Sequence, residues 1–290
     1  MVLISDMRLH DRYQLEERIG SGGMAEVWRA RDLVLNRLVA VKTILGQVTA
    51  DASLRASVRR EAQAAAQLAH PHITAVHDYA EIVSPDGRVT PYLVMELLSG
   101  ETLANRLGRG PIPWPEAAVI GSQVAASLAA AHAQGVVHQD ITPANIMLTP
   151  SGVKVLDFGI AAITGQVDNP GRIIGTPAYA PPERLRQAAP EPAADVYGLA
   201  AVVHEMITGR RPWPIETWEQ AERHHAQRIA PPPLPSLPAE VAELIQTALD
   251  PTPHRRPSVA AFTQVLDRHR HDTVGVEPVA QNSSTSPTLM

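Results

Sequence analysis

The sequence predicts an α+β protein in which a small β-rich part with one helix precedes a larger, mainly helical part. Two observations carry this. Runs rich in β-branched and alternating residues crowd the chain before Gly100, and apolar residues at helical spacing dominate after it. No self-similarity at periods of roughly 20 to 50 residues is visible, which excludes a solenoid or propeller. With 290 residues the chain can bury one or two cores. Its 44% hydrophobic and 19% charged residues match ordinary globular proteins and exclude disorder of the whole chain.

Strands are expected over 13–20, 25–32, 37–44 and 92–96, together an antiparallel sheet. Between them, Leu54, Val58, Ala62, Ala65 and Leu68 recur at helical spacing and Pro71 follows as a stop, so 53–68 reads as a helix. Beyond Gly100, helices are expected over 114–134, 193–208, 215–228, 239–249 and 258–270, with a short strand pair at 146–148 and 153–156. From about His271 apolar periodicity is lost and the chain runs into Gln-Asn-Ser-Ser-Thr-Ser-Pro-Thr, so 272–290 reads as a disordered tail.

Composition narrows the function classes. The net charge of -5 is modest and the basic residues are dispersed, so nucleic acid is not an expected partner. With 0 cysteines there is no disulfide, thiolate metal site or thiol nucleophile, which fits a reducing compartment, the cytoplasm by default. Asp6, Arg8 and Asp11 interrupt the N-terminus, so no secretory signal is expected, and no apolar run reaches the roughly 18 residues of a membrane span.

Residues 19–27, Ile-Gly-Ser-Gly-Gly-Met-Ala-Glu-Val, join two expected strands. Gly20, Gly22 and Gly23, with Ser21 among them, would let backbone N–H groups approach a phosphate unobstructed. Alone, such a hairpin equally fits a plain turn. Val39-Ala40-Val41-Lys42 then puts a lysine in an apolar strand, where its ammonium must reach water or an anion. Glu61 on the expected helix could supply the carboxylate; two unrelated surface charges are the bland alternative. His138-Gln139-Asp140-Ile141-Thr142-Pro143-Ala144-Asn145 and Asp157-Phe158-Gly159 flank the short strand pair. Asn145 and Asp157 offer hard oxygen ligands of the kind Mg²⁺ prefers, leaving Asp140 to act on an acceptor hydroxyl. Each acid taken singly also fits a turn or cap.

In this order and spacing, and with Gly-Thr-Pro-Ala-Tyr-Ala-Pro-Pro-Glu at 175–183, the motifs resemble the eukaryotic-like Ser/Thr protein kinases of bacteria, from about Tyr13 to about Arg270. The resemblance implies a bilobal protein-kinase fold with a catalytic domain over 13–271, a small lobe to about 96 and a large lobe from about 99. It implies ATP with Mg²⁺ (or Mn²⁺) as cofactors and protein Ser/Thr hydroxyls as acceptors; a homodimer is a separate candidate that the resemblance does not supply. By the same resemblance, Ile19, Val27, Ala40, Met95 and Met147 line the adenine slot, Met95 is the gatekeeper, and Glu96 to Leu98 form the hinge. Lys42 contacts the α- and β-phosphates and pairs with Glu61; Asn145 and Asp157 hold metal; Asp140 accepts the substrate proton. Thr176 bonds that aspartate, Glu183 pairs with Arg256, and Asp195 braces the catalytic loop.

Four positions depart from the family pattern. Gln139 stands in place of a common arginine, Thr142 in place of the lysine that meets the γ-phosphate, and Pro181 in place of alanine in Ala-Pro-Glu. The fourth is a sparse activation segment: between Asp157 and Glu183 the hydroxyl acceptors are Thr164, Thr176 and Tyr179 only, and 166–174 has none. A neutral Gln139 cannot receive a phosphothreonine, so activity is expected not to depend on activation-loop phosphorylation. The changes at Gln139 and Thr142 also motivate a rival, a nucleotide-binding pseudokinase scaffold. A small-molecule phosphotransferase on the same lobes is disfavoured by the peptide platform at 175–179.

Overall fold

Six strands build the first part of the computed structural model, which describes residues 3–22, 25–45, 51–85, 87–158, 176–186, 188–227 and 229–272. They are β1 (Arg8–Leu9), β2 (Tyr13–Gly22), β3 (Ala25–Asp32), β4 (Arg37–Ile44), β5 (Val76–Val83) and β6 (Val89–Glu96), hydrogen-bonded in the order β1-β2-β3-β4-β6-β5. Every pairing is antiparallel. Helix α1 (Ala52–Ala66) interrupts the series, started by Asp51, whose side chain accepts from the backbone N–H groups of Ser53 and Leu54.

Alternation along β4 sorts its side chains onto two faces. Val39 and Val41 join Trp28, Tyr92 and Val94 in one buried cluster, while Ile44, Leu93 and Met95 pack under Val58 and Ala62 of α1 in another. Ala40 and Lys42 therefore point to the α1 side. Register adds Val27 opposite Lys42 and Met95 opposite Ala40, so four residues expected to meet a nucleotide share one face.

The second part is helical, with a small sheet at its upper edge. It comprises β7 (Glu101–Thr102), α2 (Leu103–Leu107), α3 (Trp114–Ala133), β8 (Ile146–Thr149), β9 (Gly152–Val155), α4 (Pro182–Leu185), α5 (Pro192–Thr208), α6 (Trp218–Gln227), α7 (Ala239–Ala248) and α8 (Val259–His269). One large core joins α3, α5, α7 and α8 through Val124, Leu128, Leu199, Val203, Ile245, Phe262 and Leu266, all almost wholly buried. Helix α5 comes close to the loop before β8 because residue 198 is glycine: a Cβ there would sit 3.1 Å from the Ile141 carbonyl oxygen.

The α+β division and its order stand as expected. The expected strand at 92–96 is longer, because Pro91 reads as a strand breaker yet pairs here with Glu81 on the edge strand. β5 itself escaped the sequence reading: its His77, Asp78 and Glu81 hide the alternation, which a partly exposed edge strand tolerates. The helix expected from 215 begins at Trp218, because the Gln220 side chain accepts from the N–H groups of Glu216 and Thr217, and Thr217 Oγ1 accepts from Gln220 N. The expected tail from 273 onward, the segment 159–175 and Gly23 lie outside the described residues.

Candidate active site

A cleft between the two parts is lined by Ile19, Val27, Ala40, Lys42, Met95, Glu96, Leu98, Met147 and Asp157, and also by Thr74, Leu97 and Leu156. It is apolar except at its Lys42–Asp157 end, the character of a pocket that takes a flat heteroaromatic ring and leaves a charged end for anions. The Glu96 carboxylate does not serve the cleft: its Oε1 accepts from Ala75 N at 2.8 Å and from Lys154 Nζ at 2.7 Å. The Glu96 backbone N–H donates to the Ala75 carbonyl at 3.0 Å. Gly20, Ser21 and Gly22 close the sheet over the cleft, paired with Val27, Glu26 and Ala25.

Below the cleft, Asp140 sits in a loop held from three sides. Asp195, buried on α5, accepts from His138 N at 2.8 Å and Gln139 N at 2.7 Å, and its Oδ2 lies 2.8 Å from His132 Nε2. His138 is fully buried; its Nδ1 accepts from Asp140 N at 3.2 Å, which leaves Nε2 to donate to the Leu156 carbonyl at 2.7 Å. The same ring meets Phe158 edge-on at 4.7 Å between centroids. Asn145 Nδ2 donates to both the carbonyl and the Oδ2 of Asp140, each at 2.9 Å. Because both partners are acceptors, they fix the amide orientation and leave Asn145 Oδ1 as a free oxygen ligand. Gln139 (φ 69) and Asp157 (φ 58) both adopt left-handed backbone, a conformation that costs non-glycine residues about 1–3 kcal/mol and clusters at functional sites.

The upper half is arranged differently from expectation. Lys42 Nζ lies 2.6 Å from Asp157 Oδ2, and among the described residues it makes no ion pair with Glu61, which corrects the expected Lys42–Glu61 contact. Among the described residues Glu61 Oε2 is buried without a hydrogen-bond partner, and burial pushes its carboxyl up to about 7. The Asp157 carboxylate is thus the anion that Lys42 reaches in this arrangement. Thr176 also differs. Among the described residues the Asp140 carboxylate is met by Asn145 and Arg184, not by the Thr176 hydroxyl; Thr176 lines a neighbouring depression with Pro143, Ala144, Tyr179 and Glu205. Thr142 is buried.

Two expected structural contacts are present. Arg256 donates to both carboxylate oxygens of Glu183, at 2.5 and 2.8 Å, and Asp195 braces the loop as described. Sequence reading missed Thr74 and Leu156 in the cleft and Arg184 beside Asp140. Leu156 was inferable from its place before Asp157; Thr74 was not, because it is carried into the cleft by pairing of 73–74 with Val155. The hard oxygens of Asn145 and Asp157 suit a small divalent cation, and these residues would hold Mg²⁺.

Comparison with known proteins agrees with this geometry. The model of the protein kinase domain matches residues 13–269. The serine/threonine-protein kinase PknA of Mycobacterium tuberculosis is 40% identical over 253 residues, covering 86% of this chain and 58% of the relative. PknB of Mycolicibacterium smegmatis is 38% identical over 268 residues, covering 89% of this chain and 43% of that protein. The chain thus spans about half the length of these relatives. The crystal structure of the M. tuberculosis PknI kinase domain superposes with a TM-score of 0.73 at 26% identity, covering 92% of this chain and 98% of the other. No helix among the described residues is long and apolar enough to cross a membrane. Family model, relatives and fold converge: the chain belongs to the protein kinase domain family and is similar to serine/threonine-protein kinases of bacteria.

Proposed function

We propose that the chain is an ATP- and Mg²⁺-dependent serine/threonine protein kinase domain. The observation that carries the reading is the fixed Asp140 carboxylate, tied by Asn145, whose carbonyl accepts from the N–H of Leu156 beside Asp157 at the polar end of an apolar cleft. In this reading the adenine enters between Ala40 and Met147 against the backbone of 97–98, the Glu96 N–H being already bonded to the Ala75 carbonyl. Lys42 releases Asp157 and turns to phosphate oxygens, while Asp157 and Asn145 Oδ1 would hold Mg²⁺, which when bound neutralises phosphate charge. Asp140 accepts the proton of a Ser or Thr hydroxyl as that oxygen bonds to the γ-phosphorus and the bond to ADP breaks. Thr176 and the following residues support Ser/Thr over Tyr by resemblance to the family's platform.

Incubation with labelled ATP and Mg²⁺ and a generic protein acceptor, followed by phosphosite mapping, tests the reading. Phosphoserine and phosphothreonine are the expected products, and dominant phosphotyrosine would contradict the acceptor class. ATP binding with no phosphoprotein from any acceptor would favour the pseudokinase scaffold. We further infer independence from activation-loop phosphorylation, supported by the neutral Gln139 and the empty stretch 166–174. Phosphatase-treated protein, with Thr164 and Thr176 confirmed bare by mass spectrometry, should keep its initial rate. A tenfold drop that ATP preincubation restores would overturn this.

A further inference from the structure

The catalytic loop carries no cation at either position where the resembling kinases place one, since 139 is Gln and 142 is Thr. A guanidinium reaches Asp140 from another element. Arg184 on α4 donates through Nη1 to the Gln139 carbonyl, and the same nitrogen lies 3.9 Å from Asp140 Oδ1. Its side chain is only 17% exposed, so the charge acts through protein more than through water.

Both ends of this bridge are anchored. Glu183, the residue before it, is gripped by both Nη atoms of Arg256, whose side chain is 0% exposed. Arg256 also donates to the carbonyls of Asp250 and Ala193 and lies 5.0 Å from the centre of the Tyr197 ring. At the other end, left-handed backbone at Gln139 turns its carbonyl toward Arg184 while Asp195 holds its N–H. A guanidinium fixed this way cannot drift with solvent, unlike a surface arginine.

We propose that Arg184 is a positioning residue for Asp140, supplying from α4 the positive charge that the catalytic loop lacks at 139 and 142. The inference rests on Asp140 as the residue that accepts the substrate proton. At 3.9 Å the contact is electrostatic rather than a hydrogen bond. Arg184 acts by orienting the Asp140 segment through the Gln139 carbonyl and by offsetting negative charge where the transferred phosphoryl group must approach a carboxylate.

The test is steady-state kinetics on Arg184→Gln, Arg184→Lys and Thr142→Lys, singly and combined, with Tm measured for each. Arg184→Gln is expected to lower kcat by about tenfold to a hundredfold and leave KM for ATP within about twofold. Arg184→Lys keeps the charge and is expected to retain several times more kcat than Arg184→Gln. Thr142→Lys, which restores a cation within the loop, is expected to raise kcat of the Arg184→Gln protein by about tenfold and that of the parent by less than threefold, a non-additive pair. Near-parental kcat in folded Arg184→Gln overturns the proposal, as does an equal effect of Thr142→Lys in both backgrounds. If Arg184→Gln does not fold, the same comparison is made on Arg184→Met, which also removes the charge, and equal effects there overturn it too. Asp140→Asn separates the two readings: if it turns over normally, the assignment of Asp140 fails, whereas an inactive Asp140→Asn beside an unimpaired Arg184→Gln defeats this inference alone.

Discussion

The two halves of the site are built to different degrees of completion. In the lower half the Asp140 loop is tied by several hydrogen bonds: Asp195 takes two backbone N–H groups, His138 uses both ring nitrogens, and Asn145 Nδ2 donates to Asp140. In the upper half Lys42 is spent on Asp157, and among the described residues Glu61 Oε2 is buried with no hydrogen-bond partner. A satisfied buried network is rigid, whereas a buried carboxylate oxygen without a partner carries a desolvation cost. The fold therefore holds Asp140 in a hydrogen-bonded network and leaves Lys42 and Glu61 apart from each other.

The sharpest break in this contrast comes from the chemistry itself. Asp140→Asn should lower kcat by about three orders of magnitude with nucleotide affinity nearly intact, since it removes a base and no phosphate contact. Asp157→Asn should cut kcat to a similar extent but also weaken Mg²⁺-dependent nucleotide binding, measured by titration with and without the metal. Near-normal turnover in the first variant would remove Asp140 from the mechanism.

Next in size is the brace. Asp195→Ala strips acceptors from His138 N, Gln139 N and His132 Nε2 in a fully buried place. Orphaned buried donors cost about 1–3 kcal/mol each, so the variant should lose roughly 3 kcal/mol or more. For a chain of this size that is a fall in Tm of about 6–12 °C. A change of less than about 2 °C would mean that the loop is held by something other than Asp195.

The same contrast explains what was legible in the sequence. Lys42, Asp140, Asn145 and Asp157 could be read because phosphate and metal chemistry demands particular residue types, and the strand period placed Ala40 and Lys42 on one face. Glu183 with Arg256 was legible from the family's motif order. Arg184 was not, since its role depends on how α4 docks against the Gln139 carbonyl, a contact between residues 45 positions apart. Nor was the Lys42–Asp157 pair: pairing of one cation with either of two carboxylates is decided by which charges are present, and sequence lists both candidates without ranking them. β5 was lost for a simpler reason. An edge strand half open to water need not alternate cleanly, so His77, Asp78 and Glu81 carry no penalty there.

The smallest expected effect tests the incomplete half directly. Burial lifts the Glu61 carboxyl to about 7, opposed only weakly by the neighbouring Arg60 charge. A carboxyl whose folded-state value lies above its model value of 4.5 contributes stability that is fully present below about 4.5 and is lost as pH rises through about 7. Glu61→Gln is neutral at every pH and keeps the shape. Its Tm should therefore match the parent near pH 4.5 and exceed it by a few degrees at pH 8, where the parent must bury an ion. Nucleotide with Mg²⁺ should reverse the order. If ligand frees Lys42 from Asp157 and lets it meet Glu61, the parent gains an ion pair at pH 8 that the glutamine variant cannot form, and the ligand-induced rise in Tm should be larger for the parent. Equal Tm differences at the two pH values would show that Glu61 is not buried unpaired in the ligand-free protein. Equal ligand-induced shifts would show that the Lys42–Asp157 contact persists when nucleotide binds, and that the upper half does not assemble through Glu61.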